Sequence, residues 1–251
     1  MTESSSPVAL VTGASRGIGA ALARYFAQRG VDLVLNYRSK GSRAEAVAAQ
    51  VREYGRRALL VQADLTIAAE REAMAAQIAA TYRRLDLLVL NASGGLEKDK
   101  PASYAMQLNR DAQLGTVDAC FALLRPGGRI VFVTSHMAHF YGVQPVLDAY
   151  APVASSKRAG EDALRARIPT FAERSLSLIV VSGDVIEGTI TPKLLEREVP
   201  GMVAARRNQV GSLPTVETFA HAIVDAALDS DLPSGHTVFV GSTEIPLSDG
   251  F

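Results

Sequence analysis

The run Thr12-Gly13-Ala14-Ser15-Arg16-Gly17-Ile18-Gly19 is the first stretch able to do chemistry. Its three glycines space a tight turn that opens into a helix. Without Cβ atoms the backbone can approach a pyrophosphate closely. The helix N-terminus adds free N–H groups and partial positive charge. A second group lies further on. Ser135, His136, His139, Tyr141 and Tyr150 crowd one stretch, and Lys157 follows them. A histidine has a pKa suited to proton transfer near neutrality. His136 directly follows Ser135, so the two side chains are expected to point apart.

These residues sit in a regular alternation of short apolar runs and longer amphipathic segments. The runs cover 8–12, 31–36, 58–62, 85–91, 129–134, 176–182 and 237–241. They are rich in Val, Leu and Ile and apolar on both alternations, as parallel strands are when helices cover both faces. Helical patterns fall at 17–29, 42–54, 67–83, 103–125, 153–172 and 215–229. The alternation predicts right-handed βαβ units and a doubly wound α/β sheet. Two stretches lack a clear pattern, 135–152 and 183–213. Both follow strands, so both should border a site at the carboxyl edge of the sheet. A helix over 192–206 is expected within the second.

The second strand ends Leu35-Asn36-Tyr37-Arg38-Ser39-Lys40. Folds selective for NAD usually place a carboxylate here for the ribose 2′-hydroxyl. None is present. Arg38, Ser39 and Lys40, with Arg16 nearby, suit a 2′-phosphate instead and point to NADPH.

Composition bounds the rest. The 251 residues suit one α/β domain with a core large enough to need no disulfide or metal. Lys plus Arg and Asp plus Glu both number 26, so net charge is zero and bulk nucleic-acid binding is not expected. Cys120 is the single cysteine, which fits a reducing, cytoplasmic setting; its apolar neighbours predict a core residue. The polar start has no signal-peptide pattern, and no apolar run reaches membrane-span length.

The G-x-x-x-G-x-G spacing resembles the short-chain dehydrogenase/reductase family, and the resemblance runs from Val8 to the C-terminus. It implies a single Rossmann-fold domain over 1–251, a seven-stranded parallel sheet, and a substrate lid near 187–212. It also implies a homodimer or homotetramer formed through helices around 111–124 and 153–171. Gly13, Ser15, Arg16, Gly17, Ile18 and Gly19 would line the dinucleotide with Asn36, Arg38 and Ser39. Asp64 and Leu65 match the position beside the adenine, although Asp64 also reads as a helix cap. Asn91-Ala92-Ser93-Gly94 resembles the family's Asn-Asn-Ala-Gly element.

The family's chemistry uses Asn, Ser, Tyr and Lys. Asn109, Ser135 and Lys157 match three of them. The Tyr protonates the oxygen on which charge develops, the Lys holds the ribose and lowers the Tyr pKa, and the Ser positions the oxygen. The position one helical turn before Lys157 is Val153, which cannot donate a proton. Tyr150 stands seven residues before Lys157, a spacing that resembles the enoyl-acyl-carrier-protein reductases of the same superfamily. Pro152 predicts a helix starting near 153, with Tyr150 on the loop that enters it. A Ser182-Gly183 start to the next loop supports the same comparison. Ile186 would then offer its backbone to the nicotinamide carboxamide, and Thr189 or Thr191 would reach a phosphate or the carboxamide. The implied activity is hydride transfer to a ketone or to a conjugated enone or enoyl acceptor. Two alternatives stand beside it. One is a ketoreductase whose proton comes from substrate or water. The other is a dinucleotide-binding protein without turnover.

Overall fold

A computed structural model describes residues 6–97, 100–101 and 103–244. The expected domain limits at 1 and 251 and the start of the polar N-terminal segment lie outside the described residues. The chain runs β1 (Val8–Val11), α1 (Gly17–Gln28), β2 (Asp32–Tyr37), α2 (Gly41–Glu53), β3 (Ala58–Gln62), α3 (Ala68–Tyr82) and β4 (Leu85–Leu90). It continues with α4 (Tyr104–Met106), α5 (Ala112–Cys120), β5 (Leu124–Ser135), α6 (His136–His139), α7 (Ala151–Arg165) and α8 (Ile168–Glu173). Then follow β6 (Ser177–Gly183), α9 (Ile190–Glu198), α10 (Met202–Val210), α11 (Val216–Leu228) and β7 (Thr237–Val240).

The strands form one seven-stranded sheet, order β3-β2-β1-β4-β5-β6-β7, parallel throughout. Each strand feeds apolar side chains to both faces. In β1, Ala9 and Val11 join a cluster with Phe26 of α1 and Phe219 of α11. Val8 and Leu10 join the opposite cluster with Met74 and Ile78 of α3 and Cys120 of α5. Two buried faces explain why the strands read as unbroken apolar runs. Cys120 is fully buried and its thiol is pushed up to about 12 by that burial, as its apolar neighbours suggest. The sheet order reverses between β1 and β4, which opens a crevice at their carboxyl ends.

The structure departs from the sequence pattern in three places, each at a proline or glycine. The helix expected over 103–125 is α4, a π-helical turn Gln107–Asp111, α5 and a 3-10 turn Phe121–Leu123. β5 then starts at Leu124 rather than at 129, because Pro126, Gly127 (φ +80°) and Gly128 end helical geometry. Its pairing with β4 shifts register between Leu85 and Leu87. The helix expected over 153–172 starts at Ala151, with Pro152 in its first turn, and a second helix begins around Pro169. The helix expected over 192–206 is two, α9 and α10, broken at Pro200-Gly201, where Gly201 has φ +87°. No helix among the described residues is long and apolar enough to cross a membrane.

Candidate active site

The carboxyl ends of the strands open on a cleft of about 710 Å³. At its floor is the glycine-rich turn. Gly13 has φ +66° and Gly17 φ +53°, the left-handed region that glycine tolerates best. A Cβ on Gly19 would lie 2.4 Å from the Gly13 carbonyl and 2.9 Å from Asn91 Nδ2. The turn therefore needs glycine for its own packing. Arg16 precedes α1 without a side-chain cap, which leaves first-turn N–H groups for an anion.

Two asparagines hold this turn. Asn36 Nδ2 donates to the Ala63 carbonyl at 3.1 Å, and its Oδ1 accepts from Gly13 N at 3.3 Å. Asn91 Nδ2 donates to the Thr12 carbonyl at 2.9 Å. The Thr12 hydroxyl accepts from the N–H groups of Asn91 and Ala92 at 2.9 and 3.0 Å. Both asparagines line the cleft, yet their amides are committed to protein partners, so they act as struts rather than as free donors.

Ser15, Ile18, Arg38, Ser39, Lys40, Leu65, Ala92 and Ser93 all line the same cleft. Arg43, in the first turn of α2, lies there too and was not singled out from the sequence. Its signal was available, since it extends the same basic turn past Lys40. Asp64 lines the wall and braces the turn ahead of α3, whose N-cap is Ile67 with no side-chain cap, so Asp64 is not the helix cap. Its Oδ1 accepts from the Thr66 N–H at 3.0 Å and hydroxyl at 2.7 Å. Burial alone would raise this carboxyl, but the Thr66 hydrogen bonds, helped by Arg38 and Lys100, hold it below its ordinary value.

The reactive end lies between β5, α7 and the segment after β6. Ser135 ends β5. Its Oγ accepts from Ala138 N at 3.3 Å as the cap of α6, and lies 3.1 Å from the Tyr150 hydroxyl. Tyr150 is buried, directly before α7. Its phenol is pushed up by burial, against the pull of the Ser135 hydrogen bond. Lys157 reaches the Val133 carbonyl at 3.5 Å and lines the cleft, half-buried and drawn down to about 8 by desolvation. That shift owes nothing to Tyr150, and Lys157 is not among the groups acting on Tyr150. The expected lowering of the tyrosine by the lysine is therefore not seen. Tyr150 sits on the turn ahead of the helix, and the place one turn from Lys157 is filled by Val153, buried in the cleft wall.

Asn109, expected among the catalytic residues, is outside the lining of the cleft. The structure does not bring its side chain into the cleft. From the π-helical turn its Nδ2 donates to the Gly94 carbonyl at 2.8 Å and to Ser156 Oγ at 3.0 Å, while its Oδ1 accepts from Gly94 N at 3.2 Å. It stands behind the site and ties the loop after β4 to α7. His136 bonds Ser182 Oγ at 2.8 Å, and burial draws its imidazole down to about 4, so it is neutral near pH 7. His139 pairs with the buried Glu161 at 2.9 Å. Neither His139 nor Tyr141 lines the cleft.

Ile186, Thr189 and Thr191 close the cleft from the β6 side. The Thr189 hydroxyl is occupied by the Ile186 carbonyl at 2.9 Å, which leaves Thr191 as the threonine with no hydrogen bond to a described residue. A smaller chamber of about 280 Å³ shares Ser135, Met137, Asp184 and Val185 with the cleft. Pro145, Val146, Leu147 and Met202 give it apolar walls. Behind it Arg206 grips Asp184 through Nε at 3.0 Å and Nη2 at 2.9 Å, both side chains buried.

A family model described as short chain dehydrogenase matches residues 7–197. The chain belongs to the short-chain dehydrogenase family. This member is 30% identical to a hydroxynaphthalene reductase of Aspergillus fumigatus over 222 residues, 85% of this chain and 77% of the relative. It is 35% identical to a 1-cyclohexenylcarbonyl-CoA reductase of Streptomyces collinus over 188 residues, 72% and 65% of the two chains. Among solved structures, a short chain dehydrogenase of Burkholderia cenocepacia in complex with NADP superposes with a TM-score of 0.80 at 25% identity, covering 94% of this chain and 96% of that one. A short-chain dehydrogenase/reductase of Serratia marcescens gives 0.81 at 24% identity, over 94% and 97%. This short-chain dehydrogenase is thus a nicotinamide-dependent oxidoreductase acting on small molecules.

Proposed function

We propose that the enzyme uses NADPH to reduce a ketone or a conjugated enone or enoyl acceptor, with Tyr150 in place of the usual tyrosine. The observation that carries this is the 3.1 Å contact between Ser135 Oγ and the Tyr150 hydroxyl, inside a cleft that Lys157 also lines. Two hydroxyls at that separation can grip a single acceptor oxygen. The residues fit the dinucleotide: the turn at Gly13–Gly19 admits no side chain at its tightest point, and the basic rim beyond β2 lacks a carboxylate. Bound there, NADPH supplies the hydride.

Ser135 orients the acceptor oxygen by its own hydroxyl. Tyr150 holds a proton at neutral pH, as a phenol ordinarily does, and burial raises its pKa further. As negative charge gathers on the oxygen, Tyr150 stabilises it and donates that proton. Lys157 serves as the cation for the ribose hydroxyls and is positioned by the Val133 carbonyl. Carbonyl and conjugate reduction place charge on the same oxygen, so this geometry serves both. The relatives named for hydroxynaphthalene and cyclohexenylcarbonyl-CoA reduction represent a cyclic aromatic acceptor and an unsaturated thioester. α9 and α10 would act as the lid. The chain would form a homodimer or homotetramer through α5 and α7, which sedimentation of the purified protein checks.

The test is NADPH oxidation with ketones, enones and unsaturated thioesters, with Tyr150→Phe beside wild type. Loss of a positioned acid should cost the variant about 10²–10⁴ in rate. Full activity in the variant would move the proton source to substrate or water. NADPH binding without turnover on the whole panel would favour a non-catalytic role. Product connectivity separates an alcohol from a saturated carbonyl.

A further inference from the structure

We propose that Tyr104 positions Arg38 for the ribose 2′-phosphate and thereby sets the preference for NADPH over NADH. This inference rests on the cofactor reading above. Arg38 follows β2 at the exposed rim of the cleft. An exposed arginine samples many rotamers, and ordering it on a ligand weakens binding. Here the Arg38 side chain is held by one bond and its backbone by another. Its Nη1 donates to the Tyr104 hydroxyl, and its carbonyl accepts from Gln62 Nε2 at 3.1 Å.

Tyr104 is anchored for this task. It opens α4, is 6% exposed, and belongs to the apolar cluster that includes Leu65, Leu90 and Leu108. A phenol rooted in the core therefore reaches from the β4 side of the crevice to the cation on the β2 side. Burial holds that phenol above its usual range, so it remains a neutral acceptor and does not compete with a phosphate for the guanidinium charge. Lys100 lies over the same ring, its Nζ 5.2 Å from the centroid. Asp64, the nearest carboxylate after β3, is engaged by Thr66. The single bond to Tyr104 leaves Arg38 Nε and Nη2 without a hydrogen bond to any described residue. Those atoms offer the planar fork that suits a phosphate. Ser39, Lys40 and Arg43 line the cleft beside it.

Calorimetric titration of the full chain with NADP+ and with NAD+ tests this without an acceptor. The proteins are wild type, Tyr104→Phe, Arg38→Gln and the double variant. Tyr104→Phe should weaken NADP+ about tenfold or more relative to NAD+, the low end of the worth of one hydrogen bond to a charged group. In the Arg38→Gln background the same change should leave the NADP+ to NAD+ ratio where Arg38→Gln put it. Equal losses for both cofactors, or an undiminished effect without Arg38, would show that Tyr104 only packs, and the inference fails alone. A wild type without preference overturns the cofactor reading and this inference together, whereas a preference for NADP+ that survives Arg38→Gln keeps the cofactor reading and ends this inference.

Discussion

The separation of Tyr150 from Lys157 alters what each residue can do. In a tyrosine one turn before the lysine, the ammonium acts directly on the phenol. Here each group is shifted by its own burial: the phenol up, the lysine down to about 8. The linkage sign follows. The unfolded chain keeps the lysine proton up to about 10.5 and the folded chain only up to about 8. Within that window this group makes folding stability rise with pH. Its effect on turnover has the opposite sign, because the cation that holds the ribose is lost as pH rises through about 8. We expect kcat/KM for NADPH to fall with a single ionisation above about pH 8. Lys157→Arg, which stays charged, should abolish that limb at a lower overall rate. A wild-type profile that stays level well above pH 8 would remove Lys157 from this role.

The glycine-rich turn and its struts form the most tightly determined element. Gly19 has backbone on one side and the Asn91 amide on the other, and Asn91 in turn is held by Thr12. Alanine at Gly19 must push these apart, at about 1–3 kcal/mol for an overpacked site. We expect Gly19→Ala to lower the denaturation midpoint and to weaken both NADP+ and NAD+ at least tenfold, since the turn serves the pyrophosphate common to both. Unchanged titrations would mean that the turn does not hold the cofactor. The glycines and the absent carboxylate after β2 are legible from sequence because they act locally, within one strand, turn and helix. The partners that the amides of Asn36, Asn91 and Asn109 bond were not legible. Each amide is consumed by a group 15 to 79 residues away, and sequence cannot count such partners.

Across the molecule, the two helices on the β6 side of the cleft are anchored differently. α10 is tied to the end of β6 by the buried Asp184–Arg206 pair, and Arg206 also donates to the Ser242 carbonyl at 2.9 Å. α9 has no comparable buried ion pair among the described residues, and it is tied to α10 by the Glu196 carboxylate, which accepts from the Gly201 and Val203 N–H groups at 2.6 and 3.1 Å. Removing one partner of a buried pair leaves an uncompensated charge. Arg206→Met should therefore cost about 3–5 kcal/mol in chemical denaturation. Hydrogen exchange should show α10 losing protection in that variant, while in wild type α9 exchanges first. Equal exchange of the two helices in wild type would contradict this division.

The sequence alone determined the α/β class, the strand and helix alternation, the dinucleotide turn and the family. All of these follow from periodicity and from residues close together in the chain. It also drew attention to Val153 and to Tyr150 as the displaced phenol. Only the tertiary structure decided which side chains meet. It set the Tyr150 hydroxyl against Ser135, took Asn109 and His136 into structural bonds, broke the expected helix over 192–206, and brought Tyr104 to Arg38. The physical reason is that hydrogen bonds and burial join residues far apart in the chain. Whether a polar group is free or already satisfied is a property of that packing, not of spacing along the sequence.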